Sequence, residues 1–179
     1  MKIDRTVFLI GFMGSGKTYW GATLAEKLGI PFYDLDALIE AKAANSIAQI
    51  FTQLGEAAFR ELERDTLHES NQLGTAIVAT GGGTPCFFDN MAWMNAVGKT
   101  IYLKTPPSLI AARLKHEKHT RPLLASLAAE DLESHIESLL RQREPYYSQA
   151  SITVEQTTDE AAFFDTLLGV LRQGIRIKI

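Results

Sequence analysis

The chain has 179 residues, 46% hydrophobic and 22% charged, with a formal net charge of −3. That size and balance describe one globular domain able to bury a core without disulfides or metals, and they give no global electrostatic reason to bind nucleic acid. One cysteine, Cys86, excludes an internal disulfide and fits a reducing compartment, and no apolar run approaches the roughly 20 residues of a membrane span.

Met1 to Arg5 lead into an apolar run too short for a secretory signal, so a cytoplasmic protein is expected. Thr6 to Ile10 is a short β-branched and aromatic run that reads as a buried strand ending at Gly11. Lys17 to Leu28 reads as a helix stopped by Gly29 and Pro31, and Ile30 to Tyr33 as a second strand. Ser46 and Gln49 have capping-box spacing ahead of Ile47, Ile50, Phe51 and Leu54, which follow helical periodicity. A further helix is expected from about Glu56 to Glu69. Ala76 to Ala79 reads as a third strand, Thr100 to Leu103 as a fourth and Ile152 to Val154 as a fifth. Helices are expected at Pro107 to Leu114, around Leu132, Ile136, Leu139 and Leu140, and from about Asp159 to Arg172. Strands alternating with helices imply an α/β fold, a parallel sheet covered on both faces, with ligands at the carboxyl ends of its strands. Trp20, Trp93 and most phenylalanines read as core.

Gly11-Phe12-Met13-Gly14-Ser15-Gly16-Lys17-Thr18 matches the phosphate-binding pattern G-x-x-x-x-G-K-[ST], between a strand and a helix. Its glycines let successive N–H groups face a phosphate, and the helix N-terminus adds unpaired donors. Lys17 can reach β- and γ-phosphates, and the Thr18 hydroxyl suits Mg²⁺. Tyr19 follows directly.

Other strand ends carry further chemistry. Asp34 and Asp36, one residue apart on an extended segment, would point to the same side, one serving the metal and the other an acceptor hydroxyl. Either is also an ordinary start for a following helix. Glu56, Arg60 and Glu63 have the spacing of a surface ion-pair ladder, and equally of an arginine clamp on a substrate carboxylate with its rotamer held by a glutamate. Gly81-Gly82-Gly83 is either a loose turn or a place where backbone approaches a ligand closely, with Thr80 placed to hold a Mg²⁺-bound water. Four Lys/Arg, two His and one Glu between Arg113 and Arg121 form a solvated loop or a lid that supplies an arginine to the transferring phosphoryl group, Arg121 being the candidate. Arg143 ends a helix before Pro145, where a cation offsets the helix dipole.

Taken together, Gly11–Thr18, Asp34-x-Asp36, Gly55-Glu56-x-x-Phe59-Arg60-x-x-Glu63, Gly81–Gly83, Arg121-Pro122-Leu123-Leu124 and Arg143-x-Pro145-x-Tyr147 resemble the shikimate kinase family over nearly the whole chain. The resemblance implies a three-layer α/β/α P-loop fold of the nucleoside-monophosphate-kinase type, with a five-stranded parallel sheet in the order 2-3-1-4-5. It implies a single kinase domain with a substrate-binding segment at about 34–63 and a lid at about 115–124. The implied activity is ATP- and Mg²⁺-dependent phosphorylation of the 3-hydroxyl of shikimate, a step toward chorismate and the aromatic amino acids, by a monomer with no nucleic-acid or membrane partner.

By the same resemblance Lys17, Asp36 and Arg121 are catalytic. Gly11, Met13, Gly14, Ser15, Gly16, Lys17, Thr18, Tyr19, Arg113 and Arg121 hold the nucleotide, Arg113 by stacking on adenine. Asp36, Arg60, Gly81, Gly82, Gly83 and Arg143 hold shikimate, and Thr18 and Asp34 serve the metal. One departure is visible: Glu155 to Asp159 contains no proline, where the family often has one opposite the adenine-stacking arginine. The competing readings are a related small-molecule kinase acting on gluconate or a nucleoside monophosphate, and a non-catalytic nucleotide-binding module.

Overall fold

The computed structural model describes residues 5–115 and 132–173. Its elements in chain order are β1 (Val7–Ile10), α1 (Lys17–Leu28), β2 (Phe32–Asp34), α2 (Leu35–Ala43), α3 (Ile47–Glu69), β3 (Ile77–Ala79), α4 (Asn90–Val97), β4 (Lys99–Lys104), α5 (Pro107–Leu114), α6 (Leu132–Tyr147), β5 (Ile152–Glu155) and α7 (Glu160–Gln173). The strands form a five-stranded sheet in the expected order β2-β3-β1-β4-β5. Every pairing is parallel, with Val7 opposite both Ile77 and Lys99.

Side chains that alternate across β1 build the two halves of the core. Phe8 and Ile10 join the cluster that includes Leu35, Ile39, Phe59, Met94, Ile110 and Ile136. Val7 and Leu9 join the opposite cluster with Trp20, Leu24, Phe163 and Leu167. A strand covered on both faces has no polar position, which is why β1 is an unbroken apolar run, buried at every residue.

Element boundaries shift where caps decide them. Gly29 closes α1 at φ 66, its N–H reaching the Ala25 and Glu26 carbonyls, and the Ile30 N–H also returns to Ala25. Ile30 is thereby consumed by the helix end, and β2 starts at Phe32 rather than at the expected Ile30. Ser46 and Gln49 form the expected reciprocal cap of α3. The two helices expected around Gly55 run together as α3, interrupted at Gly55 itself, which has φ 79 and ψ 172. α6 does not stop at Arg143: it continues through Pro145 to Tyr147, so Arg143 lies within its last turns. α4 has no counterpart among the expected elements. It is eight residues long, and its buried face is set by Asn90, Met91 and Met94.

Candidate active site

The loop after β1, the end of β2 and the loop after β3 open side by side, because parallel strands bring all their carboxyl ends to one edge of the sheet. A cleft of about 450 Å³ lies there, lined among others by Lys17, Thr18, Asp34, Asp36, Gly81 and Gly82.

Residues 11–16 carry the chain from β1 into α1. Gly16 caps α1 at φ 82 with no side-chain cap, so the first amides of the helix have no side-chain acceptor and face the cleft end. The Ser15 hydroxyl is fully buried within this loop and has no hydrogen-bond partner. Met13 and Gly14 line the cleft beside it, and Tyr19 stands exposed at the rim with its ring edge against Trp20 at 4.8 Å. Lys17 Nζ donates to the Gly11 and Phe12 carbonyls, both at 2.9 Å, which holds the ammonium over the loop.

Asp34 and Asp36 do not share an extended segment. β2 ends at Asp34, which caps α2 by accepting from the Asp36 N–H at 3.0 Å, and Asp36 belongs to the first helical turn. The cap also stands beside the phosphate loop, because the other Asp34 oxygen accepts from the Thr18 hydroxyl at 2.7 Å. Asp36 is brought into the cleft by the helical turn instead of by strand alternation. Its carboxyl is pushed up to about 6, chiefly because the cleft walls withhold water, then by the facing Asp34 and Glu63; Lys17 acts the other way and Glu40 adds slightly.

On α3, Arg60 is 14% exposed and Glu63 1%, and they pair at 2.8 Å, whereas Glu56 is 59% exposed and reaches the same guanidinium at 3.1 Å. Both spacings on this helix face form ion pairs, Glu56 as an exposed rung and Glu63 as a buried partner that holds the guanidinium. Thr84 donates to the remaining Glu63 oxygen at 2.6 Å, and the Arg60 guanidinium lies 4.0 Å over the Phe87 ring. The triple glycine leaves room for these charged groups. A Cβ on Gly83 would lie 2.8 Å from Arg60, and one on Gly81 within 3.1 Å of Glu63, Thr84 and Asp36 alike. At Gly82 the Arg143 Nη1 would be 3.4 Å away.

Arg143 lies over the Phe12 ring at 5.1 Å and beside the Tyr147 hydroxyl, which donates to the Gly82 carbonyl at 2.6 Å. Burial raises the Tyr147 hydroxyl and also the Cys86 thiol, although Arg143 and Arg60 both draw the thiol down. Tyr147, Thr84 and Glu160, the last at the cleft wall, were not among the expected site residues. Tyr147 carried a usable signal, standing one helical turn after Arg143 on the same face.

Thr80 donates its hydroxyl to the Leu9 carbonyl at 3.1 Å, so it offers the cleft an acceptor oxygen. Arg113 reaches the cleft wall from α5 and donates to the Gly14 carbonyl and to Gln156 Oε1, both at 3.1 Å. Arg121 and the expected lid beyond Lys115 lie outside the described residues.

The donor set fits a nucleotide-borne Mg²⁺. Thr18 and Asp34 present two hard oxygens in contact beside the phosphate loop, and among the described residues no group of three or more His, Cys, Asp or Glu forms a metal cage. Mg²⁺ bound through substrate phosphates takes only one or two protein oxygens and keeps several waters.

The profile of the shikimate kinase family matches residues 13–172. The chain belongs to the shikimate kinase family. A shikimate kinase of Parabacteroides distasonis is 48% identical over 151 residues, 84% of this chain and 87% of that one. The 1.7 Å crystal structure of shikimate kinase from Bacteroides thetaiotaomicron superposes with a TM-score of 0.87 at 39% identity, covering 94% of this chain and 98% of the other. Shikimate kinase from Acinetobacter baumannii in complex with shikimate gives 0.85 at 34% identity, covering 97% and 96%. Shikimate kinases use ATP, and no described helix of this one is long and apolar enough to cross a membrane.

Proposed function

We infer that this chain transfers the γ-phosphoryl group of ATP to the 3-hydroxyl of shikimate, giving shikimate 3-phosphate and ADP. The observation that carries the reading is the gathering of Asp36, Arg143 and the buried Arg60–Glu63 pair around Gly81–Gly83, beside the phosphate loop. A substrate bearing one carboxylate and several hydroxyls matches that set. Arg60 and Arg143 take the carboxylate, and Asp36 accepts from the reacting hydroxyl.

The hydroxyl oxygen forms a bond to the γ-phosphorus as the bond from that phosphorus to the β–γ bridging oxygen breaks. ADP leaves with those electrons, and the hydroxyl proton passes to Asp36. The α1 N-terminal amides and the Lys17 ammonium stabilise the charge on the phosphates. Thr18 and Asp34 would hold Mg²⁺, which supplies further charge neutralisation on the phosphates. Arg113 serves the adenine side, and Arg121 is assigned to the phosphoryl group by resemblance alone. Residues 34–63 form the acceptor side of a single domain, and family likeness carries the placement as a cytoplasmic monomer.

Calorimetric titration of shikimate tests the reading. Arg60→Ala should weaken shikimate at least tenfold while ATP affinity changes less than twofold; equal losses of both in a folded variant would remove Arg60 as the carboxylate clamp.

A further inference from the structure

The segment after β5 departs from the family pattern by lacking a proline, and Gln156, the first residue of that segment beyond the strand, faces inward. It is 3% exposed, and its N–H extends the β4 ladder by donating to the Lys104 carbonyl at 2.8 Å. Its side-chain oxygen receives two donors, the Thr105 hydroxyl at 2.9 Å and Arg113 Nη1 at 3.1 Å. A guanidinium has no acceptor, so the amide oxygen and not the nitrogen must face Arg113. Gln156 Nε2 is left buried without a partner. The orientation therefore serves the arginine at the cost of the amide's own donors.

The second hydrogen of Arg113 Nη1 goes to the Gly14 carbonyl in the phosphate loop. Both hydrogens of one terminal nitrogen are thus used, one by the loop that faces the phosphates and one by the segment after β5. Two bonds on one nitrogen fix the plane of the guanidinium, and a planar cation whose plane is already held loses less freedom when it stacks on a base.

We propose that Gln156 is a positioning residue for nucleotide binding: it locks the Arg113 guanidinium in the plane needed against the nucleotide base. The proposal rests on the reading of Arg113 as the base-side arginine.

Steady-state kinetics of the full chain test it. Gln156→Met keeps the length and removes the acceptor; it should raise the KM for ATP about tenfold, the usual weight of a hydrogen bond to a charged group. The KM for shikimate at saturating ATP should stay within twofold. Gln156→Glu keeps an acceptor for Arg113 and should stay within about threefold of the parent for ATP. In an Arg113→Ala background, Gln156→Met should add less than twofold, since the arginine it acts through is gone. If Gln156→Met does not fold, Gln156→Asn withdraws the oxygen by one methylene and supplies the same comparison. An unchanged KM for ATP, equal rises in both KM values, or the same rise in the Arg113→Ala background would overturn the proposal. If Arg113→Ala by itself leaves the KM for ATP unchanged, the base-side reading of Arg113 fails. If it raises that KM while Gln156→Met does not, the positioning role alone fails.

Discussion

Asp36 is asked to stay ionised in a cleft that disfavours its charge. With the carboxyl pushed up to about 6 by the dry cleft wall and by Asp34 and Glu63, it is mostly ionised at pH 7.5 and mostly protonated at pH 5. The kcat/KM, which reports the groups of the unliganded enzyme, should therefore fall about tenfold for each pH unit below about 6. Asp36→Asn should lower kcat at least about a hundredfold with the fold intact, and near-normal turnover would remove Asp36 from the chemistry. Stability carries the opposite sign. A carboxyl raised above its unfolded value of about 3.8 binds its proton more tightly in the folded state. Its ionisation therefore costs nothing below about pH 4, costs progressively more between about pH 4 and 6, and costs most above that. Asp36→Asn should raise the melting temperature at pH 7.5 and leave it unchanged at pH 4; a lowered value at pH 7.5 would contradict the strained-carboxylate account.

What was legible at this scale divides by distance along the chain. Gly11–Thr18 and the Arg60–Glu63 spacing are local patterns, and the structure has the strand-to-helix loop and the ion pair that they predict. Thr84 meets Glu63 across 21 residues and Gln156 meets Arg113 across 43, and no local period announces either pairing. The shape of the Asp34–Asp36 pair was not legible, because a cap turns the chain helical one residue earlier than an extended reading allows.

Among the elements, α3 shows how one residue redirects a long helix. Gly55 holds φ 79 and ψ 172, a conformation open almost to glycine alone, with nothing within 4 Å of where a Cβ would sit. The cost of Gly55→Ala is therefore backbone strain without steric clash, about 1–3 kcal/mol, read as a lower urea midpoint at unchanged slope. A neutral result would mean that α3 straightens without loss, and the kink would then have no part in aiming Arg60. Strands β1, β3 and β4 were legible because burial on both faces leaves an apolar run that no other element of that length imitates. α4 was not, since eight residues give barely two turns of periodicity, and its packing is set by partners distant in sequence, such as Phe8 against Trp93 at 5.9 Å. The extension of α6 through Pro145 was hidden for another reason. A proline reads as a stop because it loses the bond to the carbonyl four residues back, yet here Tyr102 and Gly82 hold the chain on either side of it through Glu144 and Tyr147.

For the whole molecule, sheet order and site placement are one fact. Putting β1 at the centre, between β3 and β4, brings the phosphate loop between the proposed acceptor side built on β2, α3 and β3 and the proposed base side built on α5 and the segment after β5. Alternation of strands and helices made that fold class readable in advance, whereas the two-sided division of the cleft required the tertiary pairings. The division predicts separable effects, with Arg60 changes confined to acceptor binding and Gln156 changes to nucleotide binding.

The acceptor is read out by ADP release from MgATP with no acceptor, with shikimate, with gluconate and with a panel of nucleoside monophosphates. Release should depend on shikimate and stay at background with the others. Release driven by gluconate or a nucleoside monophosphate, with none driven by shikimate, would contradict shikimate as the acceptor.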